Sequence, residues 1–244
     1  MALKHARCLF DPIIAHTKWR YSLTRRVVLA CVLSLFGFSI AIAQINVDFS
    51  RFHQLVESSF GAERLAVSKD WESLLRTLKD EEELEKLTQV NRFFHANLNY
   101  RLDNELWNQE DYWATPLETL GKGLGDCEDY AIAKYVSLRQ SGINDQKLRL
   151  IYVRARIGGS RSSLTEAHMV LGYYATPTAE PLILDSLMPD VMPASERTDL
   201  SPVFSFNSQG LWAGNAKAAQ SPTARLSRWR SVLERIEQQG INLQ

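Results

Sequence analysis

Gly123-Leu124-Gly125-Asp126-Cys127-Glu128-Asp129-Tyr130 stands where a helical pattern is broken by glycine and then resumes, and its reading decides the architecture on either side. Asp126 is a natural N-cap. Ile132, Tyr135, Val136 and Leu138 then supply the buried stripe of a helix that ends near Gly142. Cys127 falls in the first turn of that helix. A thiol placed there faces unpaired backbone N–H groups and the positive end of the macrodipole, which favour its thiolate.

Upstream of this block the chain is helical in pattern. Val47 to Phe60, Leu65 to Leu78 and Glu81 to Leu98 carry apolar residues three and four apart, among them Leu84, Leu87, Val90 and Phe94. The acids Asp80 to Glu83 complement a helix dipole and need no ligand to explain them. An aromatic loop with Trp107, Tyr112 and Trp113 follows. Thr115-Pro116-Leu117-Glu118 then has the capping-box pattern, with proline at the first helical position.

Downstream, the period changes from helical to alternating. Leu148 to Ile157, Ala167 to Ala175, Leu182 to Leu187 and Val203 to Phe206 read as strands between turns rich in glycine and proline. The expected class is α+β, with a helical lobe over about 44–142 packed on an antiparallel sheet over about 147–213. An amphipathic helix over about 221–240 closes the chain, through Leu226, Trp229, Leu233 and Ile236.

Residues 1–43 read as an export signal. Lys4, Arg7, Lys18, Arg20, Arg25 and Arg26 precede the uncharged stretch Val27 to Ile40, and Ala41-Ile42-Ala43 is a small-x-small cleavage site. The apolar stretch is short for a membrane span, so the expected product is one soluble domain, residues 44–244, in the periplasm. An uncleaved anchor is the alternative. The 28 basic residues then lose six and the 28 acidic residues lose one, leaving 22 against 27, which disfavours nucleic acid as a partner. Cys8 and Cys31 leave as well. Cys127 remains, a lone thiol in an oxidising compartment.

The strand region offers the partners a nucleophilic thiol requires. His168 alternates with Val170 and Gly172, and Asp185 closes the run Leu182-Ile183-Leu184. A hairpin centred between Thr176 and Pro177 sets His168 directly opposite Asp185, with Cβ atoms about 4.5–5.5 Å apart on one face. Each residue alone has an ordinary explanation: a buried small hydrophobe, a satisfied strand histidine, a turn-forming aspartate. Together they give the Cys/His/Asp order of a thiol hydrolase built from a helix and a sheet.

Asp111-Tyr112-Trp113-Ala114-Thr115-Pro116, Gly125-Asp126-Cys127-Glu128-Asp129-Tyr130-Ala131-Ile132-Ala133-Lys134-Tyr135, Ala167-His168-Met169-Val170-Leu171 and Leu184-Asp185 carry a resemblance to a known family. The chain resembles the LapG-type periplasmic proteases, which are bacterial transglutaminase-like cysteine proteinases. The likeness runs from about Arg92 to Trp212, and the Asp-Cys-Glu-Asp block is its most specific part. It implies a papain-like, transglutaminase-like core with Cys127, His168 and Asp185 as the triad. It further implies a calcium-dependent endopeptidase that clips a large LapA-like surface adhesin near its N-terminus, at a double-alanine type sequence, and so releases cells from a biofilm. An inner-membrane cyclic di-GMP receptor similar to LapD would sequester the enzyme.

Asp126, Glu128 and Asp129 put three carboxylates around one cysteine, hard oxygen ligands that suit Ca²⁺ better than Zn²⁺. Acids in a first helical turn are also ordinary caps. The resemblance implies calcium at Asp126 and Glu128, and Asp129 is added on position alone. Two other classes stay open: a related thiol acyltransferase or deamidase, and a non-catalytic peptide-binding protein using Trp107, Trp113 and Trp212 as contacts.

Overall fold

In a computed structural model, residues 46–213, 216–217 and 226–243 are described. The expected export signal and residues 221–225 of the expected C-terminal helix lie outside them. Three helices open the described chain: α1 (Phe49–Phe60), α2 (Ala62–Leu78) and α3 (Glu83–Asn97). Asp48 caps α1 by accepting from the Arg51 N–H at 3.1 Å. The apolar stripes bury Phe52, Val56, Trp71, Leu75, Leu87, Val90 and Phe94 completely. The acids at the start of α3 are structural, with Glu83 paired to Lys147 at 2.7 Å.

Strand β1 (Asn99–Tyr100), a single turn α4 (Asp103–Leu106), α5 (Pro116–Lys122) and β2 (Leu124–Gly125) lead into the central helix α6 (Cys127–Gln140). The capping box of α5 forms as its sequence dictates. Thr115 Oγ1 accepts from the Glu118 N–H at 3.2 Å, and Glu118 Oε2 accepts from the Thr115 N–H at 2.8 Å. Gly123 ends α5 at φ 67°, a left-handed conformation that costs glycine little.

A seven-stranded sheet follows, in the order β6-β5-β4-β3-β7-β8-β9, with every neighbouring pair antiparallel. Its strands are β3 (Leu148–Arg156), β4 (Thr165–Tyr173), β5 (Leu182–Leu184), β6 (Met192–Pro193), β7 (Leu200–Phe206), β8 (Leu211–Ala213) and β9 (Ala216–Lys217). One face, through Leu148, Leu150, Met169, Leu171 and Leu184, joins a core with the helices. The C-terminal helix α7 (Ser227–Gln238) buries Trp229, Val232 and Ile236 in that same core, and its Arg235 meets Glu118 at 2.6 Å. The α+β architecture is the one expected. No helix among the described residues is long and apolar enough to cross a membrane.

The β4–β5 register departs from expectation by two residues. Leu171 faces Leu184, and β5 stops there, so Asp185 lies beyond the strand and not directly opposite His168. The connection is not a tight hairpin: it holds Pro177 and Pro181, with a turn from Thr176 to Ala179. A slip of two preserves side-chain parity, so Asp185 and His168 stay on one face as diagonal neighbours.

Candidate active site

The start of α6 is pinned from three directions. β1 and β2 form a short parallel ladder in which the Asn99 N–H reaches Gly123 O at 3.0 Å and the Arg101 N–H reaches Gly125 O at 2.9 Å. Asp126 is the N-cap in extended conformation, and Asp129 accepts from its N–H at 3.4 Å. Gly125 has no freedom to be larger. A Cβ there would stand 2.8 Å from Asp129 Cβ. The second Asp129 oxygen accepts from the Ala114 N–H at 2.7 Å, fastening the aromatic loop to the same turn.

Cys127 opens α6 with 6% of its surface exposed. Its thiol donates to Glu128 Oε2 at 2.7 Å. Because β5 ends at Leu184, the β4 edge beside Met169 has no strand partner on that side, and the Met169 backbone acts favourably on a charged Cys127 sulfur. The residue next to His168 is thus among those that act on the thiol. Burial and the Glu128 charge push the thiol well above its ordinary range, with Asp126 adding to them and Met169 opposing. The helix N-terminus by itself would favour the thiolate. A partial dipole charge is outweighed by desolvation and full charges in contact.

The imidazole of His168 is buried, and its Nε2 donates to Asp185 Oδ1 at 2.7 Å. This fixes the tautomer and leaves Nδ1 to hold the lone pair. Asp185 is wholly buried and held on every side. Oδ1 also accepts from the Leu187 N–H at 3.0 Å, Oδ2 lies 2.6 Å from Arg197 Nη2, and the backbone carbonyl accepts from Lys134 Nζ and His95 Nε2, each at 2.8 Å. Burial alone would raise the Asp185 carboxyl. The bond from His168, its charge and the Arg197 guanidinium instead hold it below the usual carboxylate range.

The sequence reading assigns no role to Lys134, His95 or Arg197. Lys134 lies seven residues after Cys127, two turns along α6 on the same side, where its burial was not foreseen because only a stripe of α6 was expected to be buried. In fact nearly the whole helix is enclosed, and Lys134 has no exposed surface. Burial lowers its ammonium to about 7 against the smaller opposing pull of Asp185.

Asp126, Glu128 and Asp129 come together, and Asp103 joins them from α4. Ligand atoms of Asp103, Asp126 and Asp129 lie within 4.8 Å of one another, as do those of Asp126, Cys127 and Glu128. All four acids are buried. Asp103 Oδ2 accepts from the Tyr112 N–H at 2.6 Å, whereas Asp103 Oδ1 and Asp126 Oδ1 are buried without a hydrogen-bond partner. Burial, reinforced by the neighbouring carboxylates, raises Asp103, Asp126 and Asp129 above the ordinary carboxylate range. Among the described residues no lysine or arginine ion-pairs with this group. Two orphaned oxygens in a nest of carboxylates fit a hard cation. No local motif announced Asp103, which the fold carries in from 23 residues upstream of Asp126.

Residues 63–201 match the family described as bacterial transglutaminase-like cysteine proteinase BTLCP. The chain belongs to that family. Among solved structures, LapG of Legionella pneumophila is 36% identical over 78% of this chain and 98% of its own, with a TM-score of 0.66. A calcium-bound form of that protein matches at 36% identity over 78% of this chain and 99% of its own, TM-score 0.66, and an EGTA-treated form at 35%, 78% and 98%, TM-score 0.67. No curated protein matches the sequence. In this cysteine proteinase the tryptophans weighed as contacts have different fates. Trp113 stacks on Phe206 at 5.8 Å, Trp107 lies 4.6 Å from the Tyr112 ring, and Trp212 lies over Arg149. The first of these is core, with 5% of its surface exposed.

Proposed function

We propose that this protein is a calcium-dependent cysteine endopeptidase of the periplasm that clips the N-terminal region of a large surface adhesin at a double-alanine type sequence, releasing it and dispersing a biofilm. The reading is carried by one arrangement: a buried His168–Asp185 pair beside a cysteine at a helix N-terminus. Membership of the cysteine proteinase family and the likeness to LapG support it. An inner-membrane cyclic di-GMP receptor of the LapD kind is the proposed regulator, docking beside the cleft. The intact Cys127, His168 and Asp185 disfavour a purely peptide-binding role, and hydrolysis is preferred to acyl transfer on family membership.

Cys127 Sγ attacks the scissile carbonyl while His168, through Nδ1, takes the thiol proton and later delivers it to the leaving amine. Asp185 keeps the proton on Nε2 and stabilises the imidazolium as it forms. The Cys127 N–H, in the first turn of α6, would donate to the oxyanion. Water then resolves the thioester, with His168 as base. Asp103, Asp126, Glu128 and Asp129 would hold calcium, which supplies positive charge against the carboxylates that raise the thiol. With Glu128 among the residues holding the cation, its hydrogen bond to the thiol would be given up and Sγ would be free for His168.

The test is product mass spectrometry on a purified adhesin N-terminal fragment. Cleavage at one alanine pair by the wild-type chain, lost in Cys127→Ala and in chelator, is the expected result. Amine-transferred or deamidated products with no cut would assign the acyltransferase class instead.

A further inference from the structure

The sheet face turned away from the helical core carries a second apolar cluster of Ile151, Val153, Val170 and Ile183, with Tyr174, Ala194 and Leu200 packed against it. This cluster floors a cavity of about 740 Å³, walled by the Pro177–Pro181 turn on one side and by Phe204 and Trp212 on the other. That volume lies within the range of small-molecule sites. The cavity plays no part in the reaction described above.

Its polar equipment is sparse and of one sign. The Arg149 guanidinium lies between two rings, 4.3 Å from the centre of Tyr174 and 4.2 Å from that of Trp212. Aromatic faces on both sides hold the charge in place while leaving the side chain partly exposed. Arg149 Nε is buried with no hydrogen-bond partner. Among the described residues no aspartate or glutamate lines the cavity and no carboxylate ion-pairs with Arg149. The other arginine of the wall, Arg197, is already taken up by Asp185 and Asp199 at 2.6 and 2.8 Å.

We infer that this cavity is a binding site for a small amphiphilic carboxylate, with Arg149 as the anion anchor and the Ile151–Val170–Ile183 floor taking the apolar body. Charge complementarity selects the head group: a guanidinium held between two rings, with its Nε buried and no carboxylate partner among the described residues, is matched by a planar carboxylate. The floor selects the body. Strands β3, β4, β5 and β7 engage their backbone groups with one another, so the cavity offers an extended peptide few partners for its own N–H and C=O groups. An alkyl or aryl chain has no such requirement.

The experiment titrates octanoate into the full-length Cys127→Ala protein at fixed calcium, followed by calorimetry and tryptophan emission. Saturable one-site binding that perturbs the emission of Trp212 is expected, with Arg149→Gln weakening it at least tenfold and Arg149→Lys weakening it less. Ala179→Trp, which fills the cavity from the surface turn, should abolish binding while thermal unfolding reports a native fold. If that variant does not fold, Val203→Trp fills the cavity from a half-exposed position in its place. Equal binding of 1-octanol would show an apolar crevice and no carboxylate site. Unchanged octanoate binding in Arg149→Gln, or tighter binding of a blocked Asp-Leu dipeptide than of octanoate, would equally overturn the inference.

Discussion

The two sides of the thiol hold their carboxylates in opposite ways. On one side Asp185 is completely buried, yet it meets the imidazole of His168, the guanidinium of Arg197 and the Leu187 N–H, with the Lys134 ammonium on its own backbone carbonyl. On the other, Asp103, Asp126, Glu128 and Asp129 crowd together with two orphaned oxygens and no basic side chain between them. One side is finished by the protein itself. The other is a nest of carboxylates that no basic side chain among the described residues neutralises, and it faces the same sulfur. A buried charge is tolerated only when paired, so the first side should respond to mutation and the second to ions.

The largest effect should come where both sides converge. Cys127→Ala is expected to lower cleavage by roughly 10³-fold or more, and His168→Ala to come close to it, because the pair acts as one unit. Steady-state cleavage of an adhesin fragment measures both. A Cys127→Ala protein that cuts at the wild-type rate would remove the thiol from the mechanism and with it the meaning of the comparison.

Next comes the finished side. Asp185→Asn keeps the shape but can no longer accept a proton-bearing Nε2 as a carboxylate does, so the rate should fall by about 10²-fold or more while the fold survives. Calcium should not restore it. Because the Asp185 carboxyl is held below its unfolded value, it contributes stability above that value, near pH 4, and loses it as pH falls further. The acid limb of wild-type unfolding should accordingly be steeper than that of Asp185→Asn. Identical limbs would mean that the pairing contributes nothing to the fold.

The unfinished side should behave in reverse. Chelation is expected to lower cleavage at least about tenfold, with Ca²⁺ restoring it better than Mg²⁺, since a nest of several carboxylates offers the larger ion more oxygens than Mg²⁺ readily accepts. Asp126→Ala and Glu128→Ala should each weaken calcium binding in calorimetry, and Asp103→Asn should do so too, in a residue that carries no other part of the chemistry. Saturating calcium should raise the melting temperature of the wild type by roughly 5–10 °C, as an ion bound only by the fold adds about 2.7 kcal/mol at a hundredfold excess over Kd. If Asp103→Asn binds calcium as tightly as wild type, the nest is smaller than the structure indicates.

How much of this was legible from sequence differs between the two sides for physical reasons. The nest is mostly local: Asp126, Glu128 and Asp129 sit within one turn around Cys127, so spacing alone gathered them, and only Asp103 escaped because it arrives through the fold. The finished side is long-range. His168 and Asp185 were reachable because strand parity survives a slip of two, even though the hairpin centre was misplaced by the prolines of the connection. Arg197, His95 and Lys134 were not reachable, since their partner is a side chain or a carbonyl 12, 90 and 51 residues away in sequence. The helical lobe and the sheet were plain in the periodicity. The state of the thiol was legible only in part, because the dipole and the flanking carboxylates are visible in a sequence and the degree of burial that adds to them is not.

The smallest effect, and the finest test of the comparison, concerns Lys134. If the Asp185 side is complete in itself, the lysine behind it is a support for the Asp185 carbonyl and not a reactive group, so Lys134→Met should cost only a few-fold in cleavage. Its titration gives an independent readout. In the fold Lys134 ionises near 7 because burial opposes its charge, whereas in the unfolded chain a lysine ionises near 10.4. Between those values the unfolded chain binds the extra proton, so on this account wild-type stability rises as pH goes from about 7 towards 10; below 7 both states are protonated and the dependence vanishes. Lys134→Met removes the group and keeps most of the volume. Measured by urea unfolding in the Cys127→Ala background at saturating calcium, the stability of the parent relative to Lys134→Met should climb steadily from pH 7 to pH 9.5, whatever the constant offset between them. A difference that stays level over that range would mean that Lys134 keeps its proton in the fold, and that the Asp185 side holds one more full positive charge than its burial allows.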